Sequence, residues 1–408
     1  MNNFTNRTTI QVTMSNLTIA IIGAGPAGLT LARLLQVNNI PCTVYELDSS
    51  ATDRDQGGTV DLHASGGQLV LKEAGLSDEF RKISRPEGEA MKLVKYDGTV
   101  LFDENVAGNS RPEEFSDRPE VDRAKLRQLL LNSVAPGTVI WNKRLVSIQK
   151  STEVTDTHDL HFADGIEKGF DVVVGADGAW SKIRAFITPI KPFYSGITAI
   201  ELWALDVDSR KKFISDFVGV GTMFMFDEGR AIISQKNGEG SIRTYVAVRQ
   251  PESWINDCGI DWSKAEEAKK KLIERYFANC GDDLKQIVTE SDDALIPRVM
   301  HMLPVGVKWD TCPGVSIIGD AAHLMTPFAG VGVNLAMVDA LNLSKALASC
   351  AGDKNKVFEA LGVFEAEMQA RAGKFAQKTW NNMQCHFSTN GGEERANQMK
   401  AHRARLAQ

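Results

Sequence analysis

Near the start of this chain stands the run Leu17-Thr18-Ile19-Ala20-Ile21-Ile22-Gly23-Ala24-Gly25-Pro26-Ala27-Gly28. The apolar half predicts a short buried strand, and the Gly-x-Gly-x-x-Gly half predicts a tight turn into a helix. Eighteen residues after Gly28, the acid Glu46 ends a second apolar run, Cys42-Thr43-Val44-Tyr45. Strand, glycine turn, helix, strand and acid are the layout of a dinucleotide-binding βαβ unit. Gly23 permits the turn, Gly25 lets the backbone approach a pyrophosphate, Gly28 lets the helix pack closely, and the helix N-terminus faces the anion. Glu46 would accept hydrogen bonds from both ribose hydroxyls, and its charge would repel a 2′-phosphate. FAD and NAD both suit such a site, and NADP does not.

Composition narrows the rest. With 408 residues the chain is too long for one compact core, so two or more domains are expected. A hydrophobic fraction of 43% and a charged fraction of 24% belong to an ordinary soluble globular protein. Net charge is −6, from 46 basic and 52 acidic residues, which argues against nucleic acid or an anionic membrane as partner. No stretch approaches the roughly 20 apolar residues of a membrane span. The first sixteen residues are polar, without the basic start and apolar middle of a signal peptide, so they read as a leader and the location as cytoplasmic. Six scattered cysteines offer neither a zinc spacing nor a disulfide framework, and no histidine spacing suggests a metal.

Helical periodicity is expected over 66–82, Arg123–Leu131, Ala265–Ala278, Gly332–Ser349 and Lys356–Trp380. Short strands are expected at Thr138–Trp141, Leu145–Gln149, Asp159–Phe162 and Asp171–Val174. From Tyr194 to Arg249 the texture turns to alternating, aromatic-rich strands, at Ile200–Leu205, Thr222–Phe226, Ala231–Ser234 and Ile242–Val248. That predicts an antiparallel sheet inserted into an α/β domain. The expected division is a discontinuous cofactor domain (17–70, 100–185, 297–350), a substrate domain (71–99, 186–296) and a C-terminal helical segment (355–408).

Two further motifs follow the first. Asp171-Val-Val-Val-Gly-Ala-Asp177-Gly178-Ala-Trp-Ser-Lys-Ile-Arg184 is a strand running into a sharp Asp-Gly turn. Ile318-Gly-Asp320-Ala-Ala-His323-Leu-Met-Thr-Pro327-Phe328-Ala-Gly330-Val-Gly332-Val333-Asn334 places a carboxylate at a strand end and then a glycine-rich loop that opens a helix. Asp320 can hold a chain of sugar hydroxyls such as ribityl. The amides of 330–334 can present the positive end of a helix to a ring carbonyl that becomes anionic on reduction.

These three motifs, in this order, resemble the class A flavoprotein monooxygenases of the aromatic-hydroxylase type. Within that group the chain is most similar to the tetracycline-inactivating flavin monooxygenases, through Gly57-Gly-Thr-Val-Asp61-Leu-His63, Pro119-Glu-Val-Asp-Arg123-Ala-Lys-Leu-Arg127 and the 319–334 run. The resemblance implies a Rossmann-like FAD-binding domain of the glutathione-reductase type, an inserted antiparallel-sheet substrate domain and a C-terminal helix. It implies that Gly23, Gly25 and Gly28 hold the pyrophosphate, Glu46 the adenosine ribose, and Asp61 and Arg123 the flavin side of FAD. Asp320 is implied to hold ribityl, while Pro327, Gly330, Gly332, Val333 and Asn334 line the ring. Arg54 is implied to meet an NADPH phosphate, and Asp177 and Gly178 to serve both FAD and NADPH. On the inserted sheet it places Glu201, Met223 and Arg243, with Phe328, against the substrate.

Blander readings stand beside these. Arg54 could be a loop ion-pair member, Asp61 a helix cap ahead of Ser65, Arg123 a partner of Glu120 and Arg127 structural. His63 and His323 read as neutral histidines packed in loops rather than bases. The activity implied is NADPH- and O₂-dependent hydroxylation of a polycyclic enol or phenol, plausibly tetracycline; the sequence favours a monomer without fixing the oligomeric state. The alternatives are hydroxylation of another natural-product phenol, or a flavin-dependent reductase.

Overall fold

Five parallel strands make the first sheet, in the order Val315–Ile317, Val172–Gly175, Ile19–Ile22, Thr43–Tyr45 and Val139–Ile140. The computed structural model describes residues 17–53, 57–106, 117–292 and 294–406. The three motifs leave the sheet at one edge because their strands are neighbours running the same way. Ile19, Ala20, Ile21 and Ile22 are all buried, as a strand covered on both faces requires. The helix Pro26–Val37 follows, with Pro26 at its first position and Gly25 at its cap. Its Leu29, Leu31, Leu34 and Leu35 are buried in the core under the sheet, each contributing about 1.5–3 kcal/mol.

The helix expected over 66–82 is broken. Short helical segments span Ala64–Gln68, Leu69–Glu73 and Ser77–Ile83. The interruption is at Gly75, whose φ of +70° ends a helix readily in glycine alone.

A second sheet has seven strands, in the order Ile296–Met302, Phe193–Ala204, Ile242–Arg249, Arg230–Lys236, Thr222–Asp227, Met91–Val94 and Val100–Asp103. Two edge strands fall outside the portion expected for it. Val100–Asp103 pairs with Met91–Val94, and Ile296–Met302 pairs with Phe193–Ala204. Conversely, Val70, Leu71, Ala74, Leu76 and Phe80 pack in the core of the parallel sheet rather than with the substrate portion. Partner choice across a sheet is non-local, so composition along the chain did not reveal these boundaries.

One face of this sheet packs on helices within 207–289, through Met223, Met225, Ile232, Val246 and Val248. The other face, with Phe224, Phe226, Ile233 and Tyr245, looks toward the C-terminal helices Lys354–His386 and Gly391–Leu406. The first of these helices runs past the expected end at Trp380, because Met383 and Phe387 continue its apolar stripe into the core.

Candidate active site

Between the parallel sheet, the open face of the large sheet and the C-terminal helices lies a continuous cavity of about 1740 Å³. Sites for single small molecules run to roughly 300–1,000 Å³, so this volume admits a dinucleotide and a second molecule. Gly23, Gly25, Glu46, Asp61, Arg123, Asp177, Gly178, Asp320, Pro327, Phe328, Gly330, Gly332 and Val333 all line it.

The phosphate end is built from backbone. Gly23 has φ +105°, and its Cβ would strike the carbonyl of Ala176. A Cβ on Gly28 would strike the carbonyl of Gly23. Gly25 differs: a Cβ there would meet nothing within 4 Å and would project into open space. That space is a cradle at the positive end of a helix with no acid in its first turn. Glu46 lies beside it, and its carboxylate is already engaged. Oε2 accepts from Ala24 N (2.5 Å) and Oε1 from Asp48 N (3.0 Å). Four lone-pair sites still leave room for ribose hydroxyls, so Glu46 supports the turn as well as facing the cavity.

Arg127 is structural. It donates to the carbonyls of Ala24 (3.0 Å) and Ala51 (3.2 Å) and to Asp48 (3.0 Å). Arg123, one helical turn earlier, has no ion pair with Glu120 or any other described residue, and it lies exposed in the cavity wall. Arg54 lies outside the described residues.

The second and third motifs meet through Arg184, which donates to the Ala321 carbonyl at 3.0 Å. Asp177 caps the following helix through Oδ2, accepting from Lys182 N at 2.7 Å. Its Oδ1 is buried without a partner, and burial raises the carboxyl above the usual range. Asp320 is open to the cavity but surrounded by protein. Desolvation therefore raises its pKa, against the pull of His323, Arg123 and Arg184. Two carboxyl residues in the lining of one cavity suit a polyhydroxylated ligand.

The glycine-rich loop turns at Gly330 (φ +63°) into the helix Gly332–Ser349, again with no acid in its first turn. The N–H groups of Gly332, Val333 and Asn334 begin that helix and are free of intrahelical acceptors. The Asn334 side chain corrects an expectation. It is buried rather than lining the cavity. Its Oδ1 accepts from His63 N (2.8 Å) and Gly67 N (2.9 Å), and its Nδ2 donates to the Asp61 carbonyl (2.9 Å). Asn334 thus fastens the Asp61–Gly67 segment to the helix Gly332–Ser349.

Asp61 caps no helix. Its carboxylate meets His63 Nε2 at 3.1 Å and Arg118 at 3.7 Å. Next to it Glu120, bonded by Thr59 at 2.7 Å, is pushed up to about 7 by burial and then by the Asp61 charge. His323 ends the short helix Asp320–His323 instead of lying in a loop. Burial disfavours its charge, yet Asp339 at 2.5 Å outweighs that and raises the imidazole, while the Asp339 carboxyl is held low by His323 and Arg371.

The substrate residues expected on the sheet separate. Opposed residues across a ladder share a face, and Met223 pairs with Ser234, which pairs with Thr244. Met223 therefore lies on the face turned away from the cavity and is fully buried there. Glu201 and Arg243 share the cavity-side face but bind each other at 2.6 Å, and Arg298 also holds Glu201 at 2.8 Å. Arg243 reaches the carbonyl of Gly57, and neither residue lines the cavity. The aromatic wall comes instead from Phe224, Phe226 and Tyr245, faced by Phe328, Asn382 and His386. The alternation Thr-Met-Phe-Met-Phe-Asp over 222–227 carried a signal for Phe224 and Phe226. Nothing local pointed to Asn382 or His386.

A model of the FAD binding domain family matches residues 16–379. The chain belongs to that family. Monooxygenase penA of Penicillium thymicola is 30% identical, over 95% of this chain and 99% of that protein. The crystal structure of Klebsiella pneumoniae HpxO with FAD and uric acid superposes with a TM-score of 0.73 at 20% identity, covering 97% of this chain and 95% of that one. Tetracycline destructase Tet(51) superposes at 0.66 with 19% identity, covering 94% and 95%. The protein is therefore an FAD-dependent flavoprotein monooxygenase with the glutathione-reductase-type cofactor fold. Among the described residues no helix is long and apolar enough to cross a membrane, and no cluster of side chains could hold a metal.

Proposed function

We propose that this monooxygenase uses NADPH and O₂ to hydroxylate a polycyclic enol or phenol. The observation that carries the reading is the continuity of the cavity: the Gly25 cradle and Asp320 at one end, and the aromatic wall of Phe224, Phe226, Tyr245 and Phe328 at the other. FAD, when bound, supplies the redox and oxygen-activating chemistry. The residues here position it. The turn at 23–28 takes the pyrophosphate, Glu46 the adenosine ribose, and Asp320 and Asp177 the hydroxyl-bearing part. The amides of 332–334 would offer the ring a positive helix end. Asn334, through the His63 amide and the Asp61 carbonyl, would hold that segment in place beside the ring position. The aromatic wall orients a flat substrate, and an ionised enol or phenol supplies its own electron push, so no protein base is required.

We further propose the parallel-sheet portion, with 69–83, as the cofactor domain. The seven-stranded sheet, including 91–103 and 296–302, would be the substrate domain. Arg54 remains the proposed NADPH contact, and tetracycline is a candidate substrate supported by the shared fold alone. The test follows NADPH oxidation by FAD-loaded protein with and without a panel of phenols and tetracyclines. Stimulation by at least one polycyclic member is expected. A rate unmoved by every member would overturn the proposal.

A further inference from the structure

Arg395, on the C-terminal helix Gly391–Leu406, is a cation in the cavity wall with no counter-charge among the described residues. Arg395 is partly buried, lines the cavity, and has no hydrogen bond or ion pair with any described residue. Its neighbour Arg403 is different, because Glu104 holds it at 3.4 Å. Glu394 lies next to Arg395 in the chain but accepts from the Cys385 thiol at 3.1 Å. The charged and titratable groups that act on Arg395 are Arg118 and Cys385. Among the described residues no carboxylate does, and burial together with Arg118 lowers its pKa. Among the described residues Arg118 is paired loosely, with Asp61 at 3.7 Å.

A second unpartnered group stands beside these. His386 is 5% exposed, and its Nδ1 is buried with no hydrogen-bond partner. Its ring stacks on Phe226 at 4.1 Å between centroids and 13° between planes, and it meets Phe328 edge-on at 6.0 Å. Burial and the Arg395 charge push His386 down to about 3, so the imidazole is neutral at any working pH. A guanidinium withdrawn from water without an anion is unfavourable in the free protein. At the wall of a binding cavity the same arrangement is ready for a ligand carboxylate or enolate, because the desolvation has already been met in the fold.

We propose that Arg395, backed by Arg118 and flanked by neutral His386, is an anion subsite that takes the ionised acidic group of a fused aromatic substrate. The ring system then lies against Phe226, His386 and Phe328. The inference rests on the hydroxylase reading above and narrows it to substrates that carry an ionised acid next to the ring.

The test uses FAD-loaded protein and two probes of nearly equal shape, hydroxynaphthoate and its neutral amide, hydroxynaphthamide, with affinity read by calorimetry. Wild type is expected to bind the anion at least about tenfold more tightly than the amide, as a charge-assisted pair implies. Arg395→Gln should reduce that preference to near unity without changing FAD content, and Arg395→Lys should restore part of it. Equal affinity for both probes in wild type, binding of neither, or a preference that survives Arg395→Gln would overturn the proposal. The wild-type comparison stands even if a variant fails to fold. Anion preference without turnover of any phenol or enol leaves the subsite in place and removes the hydroxylase reading. Turnover without anion preference removes only the subsite.

Discussion

Alanine at two glycines of the first motif separates the cost of folding from the cost of holding the cofactor. Gly25 has φ −81° and ψ −178°, which any residue adopts, and a Cβ there touches nothing within 4 Å. Gly25→Ala gains about 0.4–1 kcal/mol from a stiffer unfolded chain. It loses a comparable amount because alanine caps a helix poorly. The FAD-free protein should therefore keep its stability to within about 0.5 kcal/mol, a shift of no more than about 2 °C in Tm. The new methyl occupies the cradle, however, and pushes a pyrophosphate away from the amides of the turn. Losing one or two charge-assisted hydrogen bonds at about 1.5–3 kcal/mol each weakens FAD by roughly 10- to 1,000-fold or more. Gly28→Ala behaves oppositely, because its methyl overlaps the Gly23 carbonyl inside the fold. Overpacking of that kind costs about 1–3 kcal/mol whether or not FAD is present. The assay is thermal melting of the FAD-free protein alongside titration of FAD by quenching of its fluorescence. Wild-type FAD affinity in Gly25→Ala, or a Gly25→Ala protein that melts as low as Gly28→Ala, would refute the reasoning.

Three other perturbations follow from the same site. Asn334→Ala leaves the amides of His63 and Gly67 unbonded and should cost about 2–4 kcal/mol, with amide exchange quickening over Asp61–Gly67 before the rest of the molecule. The His323–Asp339 pair has a definite pH signature. The raised imidazole stabilises fully below its unfolded value near 6.5 and loses that contribution as pH rises through its folded value, whereas the depressed Asp339 carboxyl loses its own as pH falls through its folded value. His323→Gln should thus lower Tm most below about pH 6.5 and progressively less toward alkaline pH; a deficit that grows with pH would contradict the charged pair. Glu120, raised to about 7, stabilises fully below its unfolded value near 4.5 and loses that as pH passes 7. In FAD-free protein Glu120→Gln should therefore gain on wild type by about 3 kcal/mol between acid and mildly alkaline pH, and an unchanged difference in melting across that range would count against a buried protonated carboxyl.

The cofactor half was legible because each of its signals is local. Turn, helix start and acid lie within thirty residues, and the Asp177 and Asp320 motifs each sit at the end of an apolar strand. The substrate half depends on register, where a slip of one residue exchanges the two faces. Met223 and Phe224 are adjacent in sequence, and only the pairing through Ser234 and Thr244 decides that Phe224 faces the cavity. Glu201 and Arg243 were placed near one another, but their mutual salt bridge removes them from the list of free contacts. Asn334 is in the motif that the sequence singled out, yet its side chain serves the segment 61–67, some 270 residues away. Arg395 and His386 lie beyond the periodic stretch that ends at Trp380, in a segment the sequence reads only as helical.

The central claim is that an oxygen atom passes from O₂ to a substrate held against the aromatic wall. The direct measurement is mass spectrometry of products formed by FAD-loaded protein with NADPH, isotopically heavy O₂ and the panel member that most stimulates NADPH oxidation. The account predicts a product carrying one labelled oxygen atom. Unaltered substrate, with the label found only in hydrogen peroxide or water, would contradict it.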